Sequence, residues 1–229
     1  MNGTVHFAPD VAVAVAVVKP KAPSSRTNDP VRTMAGILEV ATQEFAEKGL
    51  SGARIDEIAE LTRTSKRMIY YYFGSKEGLY LAVLEESYRR MRSIEAELHL
   101  EDLAPVAALQ RLVGFTFDHH QGNPAYIRLV MSENMQRGSY LAQSKIIQEL
   151  NVSAVLAIRQ LYQRGVAAGE FRSGLDALDI HASISALTFF NVSNQHTFGL
   201  IFKHDTQAAT ALAARRANVI DMVTRFVLR

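Results

Sequence analysis

Cysteine is absent from this chain of 229 residues. The protein therefore has no disulfide framework, no thiolate nucleophile and no cysteine-based zinc site. That composition suits a reducing compartment, and we expect the protein to work in the cytoplasm. Hydrophobic residues make up 48% of the chain and charged residues 21%, so most of the sequence should fold around a real core.

A hydrophobic run long enough to cross a membrane is also missing. The most membrane-like stretch is VAVAVAVV at residues 11–18, whereas a membrane-spanning helix needs about 20 residues. Asp10 precedes this run and Lys19 and Lys21 follow it, which is the reverse of the charge order in a secretory signal. We expect no membrane partner and predict a flexible extension at 1–28, with an edge strand as the alternative for its alternating valines.

Helical periodicity dominates the rest of the chain. Asp29-Pro30 is a strong helix start, because a capping acid is followed by proline at the first helical position. Two short helices are predicted at about 54–61 and 66–73, and Gly74-Ser75 separates them from a long fourth helix. Further helices are predicted at 104–121, 124–136, 140–168, 176–198 and 206–228. The fold class is therefore predicted to be all-α.

One short segment has a charge balance unlike the rest. Residues 62–76 contain four basic residues and no acid, although the net charge of the whole chain is only +2. The two short helices around TRTS, residues 62–65, have the spacing of a helix-turn-helix. In that motif the second helix enters the DNA major groove with its N-terminal residues first, and here those residues are Ser65, Lys66 and Arg67.

The tyrosines of IYYYF fit the same motif. Ile69 and Phe73 are four residues apart, so they share a face that should anchor the helix to the core. Arg67 and Tyr71 share another face, from which they can reach bases or sugars. The tyrosines on the two flanks can give their hydroxyls to phosphates. The alternative, in which the tyrosines are packing and the basic pair is a solvated face, does not explain the acid-free segment.

Residues 32–80 resemble the N-terminal DNA-binding domain of TetR-family transcriptional regulators. The resemblance rests on ILEVATQEFAEKGL, on IDEIAELTRTSKRMIYYYFGSKEGLY, and on the tyrosine–x–tyrosine–phenylalanine run before Ser-Lys-Glu. It implies a sequence-specific regulator, more often a ligand-released repressor, that acts as a homodimer on a palindromic operator in double-stranded DNA. We predict DNA contacts at Arg54, Arg63, Thr64, Ser65, Lys66, Arg67, Tyr70, Tyr71, Tyr72 and Lys76.

Three positions depart from the family pattern. Arg63 replaces the usual turn glycine, so the turn must tolerate a side chain that can point at a phosphate. Ala53 stands where the second helix usually starts with threonine, so either Ser51 caps this helix or the cap is missing. Arg67 stands where the family commonly has a small residue, so it can carry a base preference particular to this protein.

The C-terminal part resembles the family in its helical plan and in RGVAAGEFR, residues 164–172. The resemblance implies a helix-turn-helix domain at 29–77, a connecting helix at 75–99, and a helical ligand-binding and dimerisation domain at 100–229. In the family, the last two long helices pair with those of a second copy. The stripe that would form this interface, or equally an ordinary core, comprises Ile180, Ile184, Leu187, Val219, Met222, Val223 and Phe226.

The resemblance also implies a small-molecule effector, of unknown identity, bound among the middle helices. We expect aromatic, apolar and amide side chains to line its pocket, although each of them could instead belong to the core. This mixture favours a flat apolar ligand with some polar groups. The predicted lining comprises Phe115, His119, Arg128, Met131, Asn134, Met135, Phe189, Phe190, Asn191, Asn194 and His196.

We predict no cofactor and no metal site. The Asp-His-His run at 118–120 contains adjacent histidines, which point about 100° apart on a helix. The i, i+4 pair of histidines that helical zinc sites favour is missing from this run and from His181 and His196.

Two other functional classes compete with a DNA-binding regulator. The segment YFGSK, residues 72–76, matches the Tyr-x-x-x-Lys pattern of short-chain dehydrogenases, but Gly74-Ser75 interrupts the helix that this chemistry requires. No strand and glycine fingerprint for a dinucleotide accompanies it, so we expect no enzyme activity. The second alternative is a helical adaptor that uses the basic, tyrosine-rich helix for protein contacts and binds DNA weakly, without sequence preference.

Overall fold

The computed structural model describes residues 29–229, and its regular structure in that range is helical. The predicted extension at 1–28 lies outside the described residues. The helices are α1 Pro30–Gly52, α2 Ile55–Leu61, α3 Lys66–Phe73, α4 Lys76–Ala96, α5 Pro105–Gly122, α6 Pro124–Met135, α7 Lys145–Ala167, α8 Ala177–Ser193, α9 Gln195–Phe202 and α10 Ala209–Val227. The all-α prediction is confirmed. No helix of the described range is long and apolar enough to cross a bilayer.

Side-chain caps define most of the N-terminal helix boundaries. Asp29, Ser65 and Ser75 accept hydrogen bonds from the first backbone N–H groups of α1, α3 and α4. Helix α2 has no side-chain cap, so Ser51 does not cap this helix and the cap is missing. The backbone N–H of Arg54 donates instead to the Glu44 carboxylate at 3.1 Å, which ties the start of α2 to α1.

Two predicted helix spans differ from the structure, one by a break and one by a later start. The span 176–198 is broken, because α8 ends at Ser193 and α9 begins after Asn194. The Asn194 amide donates to the Ser193 hydroxyl at 2.8 Å, and local polar bonds of this kind compete with helix continuation. Helix α7 begins later than predicted, because the Ser144 hydroxyl accepts the N–H of Ile147 and caps the helix there.

Two hydrophobic cores meet along α4. The first core is built from α1 to α4, with the Phe45 and Tyr80 rings packed edge to face at 5.1 Å. Leu129 of α6 and Ile147 of α7 join this core. The second core lies among α5, α7, α8 and α10. Since α4 packs on α1 and also on α7 and α5, it connects the helix-turn-helix region physically to the rest of the molecule.

Part of the stripe assigned to a dimer interface belongs to the second core. Ile180, Ile184, Val219 and Val223 are at most 2% exposed and pack within this chain. Of the two alternatives, ordinary core is therefore correct for these four residues. The reason is that α8 and α10 each present an apolar face to the interior and a second one outward, and sequence periodicity does not distinguish the two.

Candidate nucleic-acid interface and internal cavity

Helix α3 is held by one face and leaves the other free. Its start is capped by Ser65, whose hydroxyl accepts the N–H of Met68 at 3.2 Å, and it ends at Gly74 with φ of 75°. Ile69 is fully buried and Phe73 packs against the same core. The predicted inward face of this helix is confirmed, and the opposite face necessarily turns to solvent.

The outward face of α3 carries basic and phenolic groups. Lys66 and Arg67 are exposed, and Tyr71 is 77% exposed. Tyr70 is exposed to 45%, while Tyr72 is half-buried and its ring meets that of Tyr71 edge to face at 5.3 Å. The predicted DNA-binding residues on α3 thus form one connected surface of amines, guanidinium groups and hydroxyls.

The turn between α2 and α3 contains a strained residue. Arg63 has φ of 52°, a left-handed conformation that favours glycine. The turn is held by the Thr62 hydroxyl, which donates to Ile58 O at 2.7 Å, and by the N–H of Thr64, which donates to Ala59 O at 2.9 Å. Thr64 itself is partly buried in the turn, whereas the Arg63 side chain is exposed beside α3.

Acids approach this surface in space although none lies in its sequence segment. The Lys66 ammonium is 2.6 Å from the Asp56 carboxylate, and Arg54 lies 3.7 Å from Asp56 and 3.9 Å from Glu57. The bond from Lys66 lowers the pKa of Asp56. The front of α3 is therefore not free of negative charge, because α2 brings its first turn alongside.

Three predicted basic groups have no acid partner among residues 29–229, namely Arg63, Arg67 and Lys76. Lys76, in the first turn of α4, donates to the backbone carbonyl of Ser51 at 3.3 Å. This bond holds its ammonium between α4 and the end of α1. A phosphate placed there would find a cation already fixed in position.

An internal cavity of about 200 Å³ lies between α4, α5, α6, α7 and α8. Its walls combine apolar side chains with convergent polar groups, the pattern of a small-molecule site. The polar and aromatic lining comprises Tyr88, Arg92, Glu95, Thr116, His120, Tyr126, Asn151, His181, Ser185 and Phe189.

The cavity contains an ion pair whose side chains are about nine-tenths buried. Arg92 is hydrogen-bonded to Glu95 one turn later on α4, and its other terminal nitrogen donates to Asn151 Oδ1 at 2.8 Å. Burial, with repulsion from His119 and Arg92, lowers the pKa of His120 to about 4. Burial and Arg92 likewise lower the pKa of His181. Both cavity histidines are therefore uncharged at neutral pH.

Of the predicted effector-pocket residues, Phe189 lines this cavity and the other ten lie elsewhere. His119, with the ring of Phe115 at 5.7 Å, borders a separate cleft between α1, α4, α5 and α6. Three more predicted pocket residues border a cleft against α9, namely Phe190, Asn191 and Asn194. The remaining five are exposed on α6 and α9, namely Arg128, Met131, Asn134, Met135 and His196.

The cavity groups on α4 are absent from the residues predicted for the effector pocket, because the sequence pattern indicates only a connecting role for this helix. Tyr88, Arg92 and Glu95 are spaced by four and three residues, which places them on one helix face. This spacing, with a charged pair among aromatic residues, was the available signal.

Comparison with known proteins agrees with this geometry. The family model "Bacterial regulatory proteins, tetR family" matches residues 37–83, and "Tetracyclin repressor-like, C-terminal domain" matches residues 105–223. The chain is 33% identical over 204 residues to the HTH-type transcriptional repressor NicS of Pseudomonas putida, covering 89% of this chain and 96% of NicS. It is 36% identical over 139 residues to the HTH-type transcriptional repressor SCO4008 of Streptomyces coelicolor, covering 60% of this chain and 69% of that protein.

Solved structures share the fold. The ketosteroid transcriptional regulator KstR2 of Mycobacterium tuberculosis matches with a TM-score of 0.64 at 20% identity, over 89% of this chain and 97% of that one. The transcriptional regulator FadR of Bacillus subtilis, solved with stearoyl-CoA, matches with a TM-score of 0.66 at 20% identity, over 83% and 97%.

The exposed basic helix and the matched N-terminal model define a helix-turn-helix, DNA-binding transcriptional regulator. The chain belongs to the TetR family, whose N-terminal and C-terminal models together span residues 37–83 and 105–223. The resemblance drawn from residues 32–80 is thereby confirmed.

Proposed function

We propose that this TetR-family member is a repressor that holds operator DNA as a homodimer and releases it when a small molecule fills the cavity. The observation that carries the proposal is the outward face of α3, where Arg67 and Tyr71 are exposed while Ile69 anchors the helix from behind. The relatives NicS and SCO4008 are both named repressors, which supports this sign of regulation.

Base reading is assigned to the residues that project furthest from α3. Arg67 can bond guanine through two parallel hydrogen bonds, the commonest specific contact in the major groove. Tyr71 stands one turn along the same face. Ser65, with Tyr70 and Tyr72 on the flanks, supplies hydroxyls for phosphates, which fix the register without reading sequence.

The remaining predicted contacts are assigned to the DNA backbone. Arg63 and Lys76 flank α3 and have no acid partner in the described part of the chain, so each can neutralise one phosphate. Arg54 and Lys66 already face acids of α2. Their contribution to DNA binding is therefore expected to be smaller, because the acid must be displaced or must share the cation with the phosphate.

A second apolar face supports dimerisation through α8 and α10. On α8, four exposed residues at four-residue spacing form a ridge of small and apolar side chains: Leu178, Ala182, Ala186 and Phe190. On α10, Met222 is 39% and Phe226 is 36% exposed. Pairing of these faces in two copies would give two recognition helices, which suits operator half-sites about 34–36 Å apart or slightly more.

Helix α4 offers the connection between cavity and DNA. It begins directly after the glycine that ends α3, and it carries Tyr88, Arg92 and Glu95 into the cavity wall. A ligand that moves these side chains can therefore tilt the helix-turn-helix relative to its dimer partner. Coupling of this kind is typically worth about 1–3 kcal/mol.

The test is selection of bound sequences from a random duplex library with the full-length protein. The proposal predicts a palindrome whose half-sites are about one helical turn apart, center to center, or slightly more. Analytical ultracentrifugation of the protein with the selected duplex should then give two protein chains per site. Binding without any enriched sequence would contradict the proposal and favour the helical adaptor.

A further inference from the structure

The internal cavity is small for an effector site. Its volume is about 200 Å³, below the range of about 300–1,000 Å³ that is usual for drug-sized ligands. FadR of Bacillus subtilis, which shares the fold, was solved with stearoyl-CoA. A ligand of that length does not fit here unless the helices separate, so the volume favours a compact molecule.

The cavity has no uncompensated charge. Arg92 and Glu95 form an ion pair in which the two side chains are only 11% and 10% exposed. The other titratable bases in the wall, His120 and His181, are uncharged because burial lowers the pKa of both. An ionic ligand would add a buried charge without a partner, which is strongly unfavourable. An uncharged ligand avoids this cost.

One nitrogen of the Arg92 guanidinium makes no hydrogen bond. Its terminal nitrogens serve Glu95 and Asn151, and the Asn151 amide is itself fixed by donating to Ile147 O at 2.7 Å. The Nε–H of Arg92 is buried and has no hydrogen-bond partner within residues 29–229. This nitrogen also has almost no accessible surface, so a ligand in the cavity meets a guanidinium that Glu95 and Asn151 already hold in place.

One acceptor on α5 is unused. The Thr188 hydroxyl donates its single hydrogen to Ile184 O at 2.8 Å, so it must accept from His120 Nδ1, which lies 3.0 Å away. Neutral His120 therefore carries its proton on Nδ1, and Nε2 has a free lone pair. No hydrogen bond to Nε2 is made within the described range. A ligand N–H or O–H can fill this position.

Aromatic rings line the same cavity. Tyr88 and Tyr126 meet edge to face at 5.4 Å, and Phe189 lies edge to face with His120 at 6.2 Å. Rings at right angles form flat walls, which fit a planar ligand and add offset or edge contacts to it.

We propose that the effector is a compact, uncharged, planar ring compound that donates a hydrogen bond to His120 Nε2. A neutral aromatic carboxamide carries such a donor. The inference rests on the proposed function above, because it names the class of effector for the same cavity.

Three probes of nearly the same shape test the charge requirement: benzamide, benzoate and benzamidine, which is a cation at neutral pH. Binding to the full-length protein is measured by NMR titration. Benzamide is expected to bind at least about ten-fold more tightly than either ion, since an unpaired buried charge costs more than the 1.4 kcal/mol of one decade. Tighter binding of benzoate or benzamidine, saturable binding of stearoyl-CoA alone, or no saturable binding of any probe would overturn the inference.

Changing the charge of the cavity should change the preferred probe. Glu95→Gln leaves Arg92 without its counter-charge, so the ratio of benzoate to benzamide affinity should rise by about ten-fold or more. Glu97→Gln makes the same change at an exposed position near the end of α4 and should leave the ratio unaltered. An unaltered ratio in folded Glu95→Gln would contradict the proposed charge balance.

His120→Phe provides a second variant if Glu95→Gln does not fold. It keeps a ring but removes the acceptor, so benzamide binding should weaken by about ten-fold, the usual cost of an unmade hydrogen bond, while toluene binding is retained. Equal benzamide affinity in this variant would overturn the inference.

Operator binding without a probe separates the two proposals. A wrong probe order with intact operator selection contradicts only the effector class, whereas absent selection contradicts the regulator itself.

Discussion

Arginine has opposite surroundings on the surface of α3 and in the internal cavity. Arg67 is exposed and has no acid partner in the described part of the chain, whereas Arg92 is buried and bonded to Glu95 and Asn151. Water screens a surface charge, which can stay unpaired until a phosphate or base arrives. A buried charge must be neutralised when the chain folds. Charge is therefore available for recognition on the outward face of α3, while in the cavity the unused acceptor of His120 performs that role.

The largest expected effect comes from breaking the buried pair. Arg92→Met should lower the free energy of unfolding by about 3–5 kcal/mol, because it leaves Glu95 buried without a partner. Helix α4 supplies a matched control in the exposed pair of Arg89 and Glu86, which are also three residues apart. Arg89→Met should cost only about 0–1 kcal/mol. Urea unfolding measures both, and equal losses would contradict the comparison.

A pH effect of intermediate size is expected at His120. Burial lowers its pKa to about 4 in the folded protein, from an ordinary value of 6.5. The unfolded chain binds more protons between these values, so stability is full above the ordinary pKa and falls as the pH drops toward the folded value. The loss from pH 7 to pH 5 should be about 2 kcal/mol for this residue.

Urea unfolding of wild type and His120→Phe at the two pH values measures this loss. The variant should lose less stability on acidification, although His119 and His181, whose pKa values burial also lowers, contribute to both proteins. The exposed His204 is a control position, and His204→Phe should behave as wild type. A pH dependence that is the same in all three proteins would refute the assignment.

A smaller effect is expected at the strained turn. Arg63→Gly should raise the free energy of unfolding by about 1 kcal/mol, because glycine adopts the left-handed conformation without the penalty of a side chain. Arg63→Ala removes the same charge but keeps that penalty, so it should not stabilise. If Arg63 neutralises one phosphate, both variants should reduce the salt dependence of DNA affinity by about 0.9 in slope. Stabilisation by alanine as large as by glycine would exclude strain as the cause.

The smallest effect is expected where an acid faces the recognition helix. Asp56→Asn frees Lys66, so affinity for any duplex should rise by about three-fold and the salt slope should steepen by up to about 0.9. Glu60→Gln makes the same charge change on α2 at an exposed acid that forms no ion pair within residues 29–229. Fluorescence anisotropy at several salt concentrations compares them. Identical changes would indicate a general charge effect without release of Lys66.

The geometry of α3 could be predicted from sequence because its determinants are local. Ser65 as cap, Ile69 as anchor and Gly74 as stop lie within ten consecutive residues, and helix periodicity alone separates the buried from the exposed face. The approach of Asp56 to Lys66 could not be predicted in this way. It depends on how α2 packs against α3, and an acid-free stretch of sequence does not specify its neighbours in space.

The cavity was not predictable residue by residue, because five helices contribute to it. Which face of each helix turns inward is decided by tertiary packing. The sequence does not distinguish Met135 from His120 as a pocket residue. Only the packing of α5 and α6 leaves Met135 exposed and His120 buried. The two apolar faces of α8 pose the same problem, since Ile184 is buried while Phe190 is exposed.

Base reading by Arg67 is tested by the affinity of Arg67→Ala for the selected operator and for operators changed at one base pair. We expect this variant to lose about 1–3 kcal/mol of discrimination at one position in each half-site and to keep it elsewhere. Arg159→Ala, which removes an exposed arginine of α7, should discriminate as wild type does. Undiminished discrimination by Arg67→Ala at every position would contradict the assignment of base reading to the exposed arginine of α3.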